Sequence, residues 1–228
     1  MIILFDNTIG LSELHSYLKF IPNKYTQRYF NKKPCDLIIT NLSEENKHKL
    51  TALTKLASNL LSKTYIDILM PIQKINITIL DDNCMFSLPF TLGDTIFFPN
   101  KYLSRSNYKN LKTIIHELIH INQRNNCAKW IKWILKNNND WSLQNFTVCD
   151  YQLNDNFILN PDTFYVQSWL YKNKYYSHNV NLNNNIINKW YAFDKHKFIP
   201  ETNEIHQYDH PFEEYAYKIS EELSSFIK

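Results

Sequence analysis

Thr113-Ile114-Ile115-His116-Glu117-Leu118-Ile119-His120-Ile121-Asn122 is the stretch on which the reading of the chain turns. It holds His-Glu-x-x-His inside an apolar run. Apart from the motif itself, no charge and no proline interrupts Thr113 to Gln123, so the run reads as helix. In a helix, residues four apart share a face and lie about one turn from each other. His116 and His120 can therefore aim two imidazoles at one metal ion. Glu117 is rotated off that line, where its carboxylate can reach a water on the open side of such an ion. Two nitrogen ligands and a carboxylate base at this spacing are what metal-assisted hydrolysis requires.

Working outward, the composition sets broad limits. The 228 residues fit one domain, and 44% hydrophobic with 15% aromatic content is enough to bury a core. A net charge of +3, with Lys and Arg scattered among Asn and Tyr, gives no dense basic stripe, so no nucleic-acid partner is expected. Cys35, Cys84, Cys127 and Cys149 form no C-x-x-C pair and are expected as free thiols in a reducing compartment. The apolar start Met1–Phe5 is too short for a signal segment, and no stretch approaches a membrane span. A soluble, cytoplasmic protein without a membrane partner is expected.

Upstream of the motif, residues 2–5 read as a short strand. Leu11, Leu14, Leu18 and Ile21 recur at helical spacing up to Pro22. Asp36–Thr40 reads as a buried strand. Ser43 is a helix cap, and Leu50, Leu53, Leu56, Ala57, Leu60 and Leu61 predict a long amphipathic helix over 44–63. Lys74–Leu80 alternates, with Ile75, Ile77 and Ile79 on one face, the pattern of a half-buried strand. Asp94–Phe98 reads as a second strand, opened by Gly93 and closed by Pro99. Downstream, Ala128, Ile131, Ile134 and Leu135 suggest another helix ending at 137–139. Residues 140–205, with strands expected at 164–171 and 186–193, read as a partly β insertion.

A catalytic zinc takes three protein ligands, so a third is needed. The C-terminal segment offers Glu213, Glu214, His206, Asp209 and His210, with Pro211 suited to the first turn of a helix. Glu213 and Glu214 differ by about 100° around such a helix, so both cannot face one ion.

The motif stretch resembles the longer zinc-metallopeptidase pattern. Thr113 stands three residues before the first His, and Ile114, Leu118, Ile119 and Ile121 are uncharged; Asn122 departs, where a hydrophobic residue is usual. Pro211, Glu213 and Ala216 match the Pro-x-Glu-x-x-Ala signature of the glutamate-type zincins, the gluzincins. The resemblance covers these two helices and, at most, the strand before the motif; it implies that this strand, 94–98, lies at the edge of a cleft where a peptide could pair with it. It implies an α+β zincin-like fold: a small mixed sheet, an active-site helix and an antiparallel C-terminal helix supplying the third ligand. It would be one catalytic domain over 1–228, with 140–205 inserted.

It also implies a Zn2+ cofactor on His116, His120 and Glu213, and Ala216 as the small residue where the helices approach. Two features depart from the family. The third-ligand helix lies about ninety residues downstream, a spacing that costs only loop closure. Tyr217 stands where the family carries Asp.

The expected activity is hydrolysis of a peptide or protein substrate, with Glu117 as general base. The oxyanion donor is sought among Tyr217 and His210 first, then Tyr215 and His206. From another class, the alternative is a catalytically silent, zinc-stabilised module that binds a peptide or protein. A metal-free buried helix is the third reading.

Overall fold

The structure is a computed structural model. It describes residues 1–19, 37–39, 41–65, 67–82, 88–144, 157–158, 160, 162, 169–180, 186–194, 197–200, 207–208 and 210–226. The chain is α+β and divides into two compact units: 1–126 with 216–228, and 127–215. The division falls inside the last helix. Among the described residues, no helix is long and apolar enough to cross a membrane.

The first unit is built on a four-stranded mixed sheet. β1 (Ile2–Leu4) and β4 (Thr95–Pro99) both pair parallel with β2 (Lys74–Leu80). β3 (Phe90–Leu92) pairs antiparallel with β4, giving the order β1-β2-β4-β3. Two sequence expectations are corrected here. Residues 94–98 do not form an edge: β4 lies between β2 and β3, and the edge beside it is β3. β2 is not half-buried either, since every residue after Lys74 is buried. Its polar face is covered by α1 (Asn7–Leu18), which begins a turn earlier than its leucine spacing suggests because Asp6 caps it, accepting from Thr8 and Ile9.

Gly10 makes that contact close. A Cβ there would sit 2.1 Å from Thr78 Oγ1. The buried Asn76 side chain then exchanges two hydrogen bonds with the Asp6 backbone, at 2.8 and 2.9 Å, so no polar group on this face is stranded. The turn between β3 and β4 is two residues long and places Gly93 at φ +52°, a backbone conformation that favours glycine. Of the strand expected at 36–40, residues 37–39 are described. Ile38 forms an antiparallel bridge to Leu80, beyond the reach of β1.

α2 (Glu44–Thr64) starts at the predicted Ser43 cap, whose hydroxyl accepts from Asn46 N–H. Leu50, Leu53, Ala57 and Leu61 are buried, whereas Leu56 is 41% exposed. α2 packs on α3 (Asn107–Asn125), which carries the motif and also packs on β3 and β4. Asn122, the departure from the family pattern, is buried and donates to Met70 O at 2.6 Å, so its polarity is satisfied.

The second unit begins with α4 (Cys127–Asn137). The region expected to be partly β carries β5 (Trp141–Leu143), β6 (Phe157–Ile158), β7 (Trp169–Tyr171), β8 (Lys174–Val180), β9 (Ile186–Asp194) and β10 (Lys197–Pro200). They form an antiparallel sheet in the order β10-β9-β8-β7-β5, with β6 also on β8. Lys172 and Asn173, both at positive φ, make the tight turn from β7 to β8. Residues 164–168 of one expected strand lie outside the described residues. So do Ile21, Pro22, Cys35, Cys84 and Cys149. Cys127 is a free thiol, and burial pushes its pKa up. The chain ends in α5 (Pro211–Ser225).

Candidate metal centre

α3 is built to hold its motif still. Ser106 caps its start by accepting from Lys109 N–H. Ile114, Ile115, Leu118, Ile119 and Ile121 are all buried, so the middle of the helix is enclosed nearly all round. At its last turn, Arg124 donates to Gly93 O (2.5 Å) and to Thr91 O and Oγ1 (3.2 and 3.1 Å), tying the helix to the β3–β4 hairpin. His116, Glu117 and His120 sit mid-helix, away from fraying ends.

The two imidazoles converge through the same atom type: His116 Nε2 and His120 Nε2 are 3.0 Å apart. Zinc–nitrogen bonds of about 2.0–2.1 Å in a tetrahedral arrangement set two nitrogens about 3.3 Å apart, so this spacing suits a shared ion. On its far side, His120 Nδ1 lies 2.9 Å from Oε1 of the buried Gln123. An amide oxygen only accepts, so with Gln123 in this orientation the proton sits on Nδ1 and the Nε2 lone pair is left for a metal.

α5 brings the third donor. Along the two helices, Tyr108 meets Ser224, Lys112 pairs with Glu221 and His116 stacks on Tyr217. Numbers rise by a turn on α3 as they fall by about a turn on α5, so the helices run antiparallel. The ligand atoms of His116, His120 and Glu213 lie within 4.8 Å of one another. Two nitrogens and a carboxylate oxygen, largely buried, form a group that could hold a metal ion. Asn160 Nδ2 donates to Glu213 Oε1 at 3.0 Å.

The other candidates are placed differently. Glu214 turns to the Trp141 indole, whose Nε1 donates to Oε2 at 2.7 Å. His210 is buried and caps α5, its Nδ1 accepting from Phe212 N–H at 3.0 Å. Tyr215 is buried with its ring on Trp133. Tyr217 is 47% exposed, its ring centroid 4.4 Å from that of His116. His206 and Asp209 lie outside the described residues.

Glu117 is 3% exposed. Its charge is felt by Tyr102, in the 3-10 turn Asn100–Tyr102 ahead of α3. Burial pushes the Tyr102 phenol up. Arg105, stacked 3.5 Å over the ring centroid, opposes the shift, and the Glu117 carboxylate adds to it.

Sequence reasoning missed Gln123, Asn160 and Tyr102. Gln123 carried a signal, being three residues after His120 on the same helix face. Asn160 and Tyr102 carried none. No protein-family model, no curated protein and no solved structure matches the chain.

Proposed function

We propose that the chain is a zinc-dependent peptidase. The observation that carries this reading is the convergence of His116, His120 and Glu213 beside the mid-helix Glu117. His116 and His120 through Nε2, and Glu213 through a carboxylate oxygen, are the residues that would hold the ion. Bound there, zinc supplies a water of near-neutral pKa and a Lewis acid for the scissile carbonyl. Glu117 takes the proton from the attacking water and delivers it to the leaving amine. Tyr217 is the favoured oxyanion donor, because its ring lies against His116 and the residue is half exposed. His210 Nδ1 is engaged in capping α5, which ranks it second.

Glu117→Gln keeps the carboxylate's shape and removes its basicity. The expected outcome is a folded, zinc-containing protein whose cleavage of a peptide library falls by about a hundred- to ten-thousandfold. Undiminished cleavage by this variant overturns the mechanism. The burial of Glu117 favours a second reading, a closed zinc-stabilised centre in a binding module. Stoichiometric zinc without cleavage of any library peptide by the wild-type chain selects that reading.

A further inference from the structure

We infer that Gln123 and Asn160 are positioning residues of the metal centre, and that His120 and Glu213 are each supported by a neutral amide. The inference rests on the metal-binding part of the reading above and is independent of peptidase activity. Its basis is two hydrogen bonds, each behind a different proposed ligand. Gln123, fully buried, sets Oε1 2.9 Å from His120 Nδ1. Asn160 Nδ2 lies 3.0 Å from Glu213 Oε1.

The Asn160 amide can face only one way. Its Oδ1 already accepts from Asp162 N–H at 2.9 Å, so the NH2 end must point at the carboxylate. Gln123 has the opposite polarity and offers its oxygen. A flipped Gln123 would donate to His120 Nδ1, force the ring proton onto Nε2 and block metal binding there. One amide therefore accepts and the other donates, each matched to what its ligand needs.

The chemistry differs from that of a carboxylate support. A carboxylate behind a histidine adds negative charge and raises the ring's basicity. An amide fixes the tautomer and the ring plane without adding charge. His116, His120, Glu213 and the two supports then carry a single negative charge, that of Glu213. A dication held there meets that charge and that of Glu117, which follows His116 in the chain, and gains no further charge from the two supports. It is bound less tightly than with a carboxylate support and polarises its ligands more.

The test is zinc affinity, measured by chelator competition on the full chain at fixed pH, with metal-free thermal melting as the folding control. Gln123→Leu keeps the volume and removes the acceptor; zinc affinity is expected to fall ten- to a hundredfold. Gln123→Glu can only accept, so affinity is expected to match or exceed that of wild type. Affinity within twofold of wild type in the Leu variant overturns the inference, and so does a loss of tenfold or more in the Glu variant.

Should either variant fail to fold, nitrogen-15 imidazole spectra of the wild-type zinc-loaded chain decide. A protonated Nδ1 and metal-bound Nε2 on His120 support the assignment, and the reverse overturns it. A wild-type chain that takes up no stoichiometric zinc overturns the metal reading itself, an outcome distinct from failure of the Gln123 assignment.

Discussion

Glu213 and Glu214 are neighbours with different surroundings, and that contrast is testable at the scale of single residues. Glu213 faces the histidines, while Glu214 accepts from the Trp141 indole in a buried setting. Glu213→Ala is expected to lower zinc affinity by more than the ten- to hundredfold that loss of a supporting hydrogen bond costs. Glu214→Ala should leave zinc affinity unchanged and destabilise the metal-free chain by about 1–3 kcal/mol, because it removes the indole's acceptor. Chelator competition and denaturant unfolding separate the two effects; a zinc defect in the Glu214 variant would reverse the roles. At this scale the sequence was legible where chemistry is spaced along one helix. His116, Glu117 and His120 share a face by periodicity alone. The Glu213–Glu214 choice was readable only as a rotation, since nothing local says which carboxylate meets Trp141, a residue 73 positions away. Asn160 was invisible for the same reason, its partner lying 53 positions on.

Between elements, the antiparallel pairing of α3 and α5 decides where Glu213 falls. It is held at the far end from the histidines by Lys112–Glu221 and by Tyr65 at the end of α2, whose hydroxyl donates to Glu222 at 2.5 Å. Burial first, and the Glu222 carboxylate second, push the Tyr65 pKa up from its ordinary 10.0. A raised phenol pKa contributes stability that is complete below the unfolded value and is lost as pH rises through the folded one. Tyr65→Phe is therefore expected to be less stable than wild type by an amount that is flat up to about pH 10 and narrows above it. Denaturant midpoints from pH 8 to 11.5 check this, and a gap that widens with alkalinity refutes it. Element types were readable from the sequence because period and capping are local: Ser43 opens α2, and Ile75, Ile77 and Ile79 announce β2. Sheet order was not. The sequence cannot show that Gly10 lets α1 lie directly on Thr78, covering the face of β2 that its polar residues suggested was open.

For the whole molecule, the α+β class and the mixed sheet were legible, and so was a β-rich stretch between the motif and the last helix. The extent of the second unit was not, since it takes in α4 and the first turn of α5. Among the described residues, the closures that set α5 beside the helices of the first unit are long. Lys112 and Glu221 are 109 residues apart, and Tyr65 and Glu222 are 157 apart. Contacts of such separation form late, because chain entropy is lost before they return any gain. The Tyr65–Glu222 bond thus acquires a meaning in time. The α2–α3 pair and the sheet lie within the first 126 residues, whereas α5 must wait for residues 211–225. On dilution from denaturant, helical signal is expected to return before the ability to capture zinc, and synchronous recovery would contradict that order. During synthesis Glu213 can then join His116 and His120 only once residues 211–225 have been made, after the strands and helices that precede them.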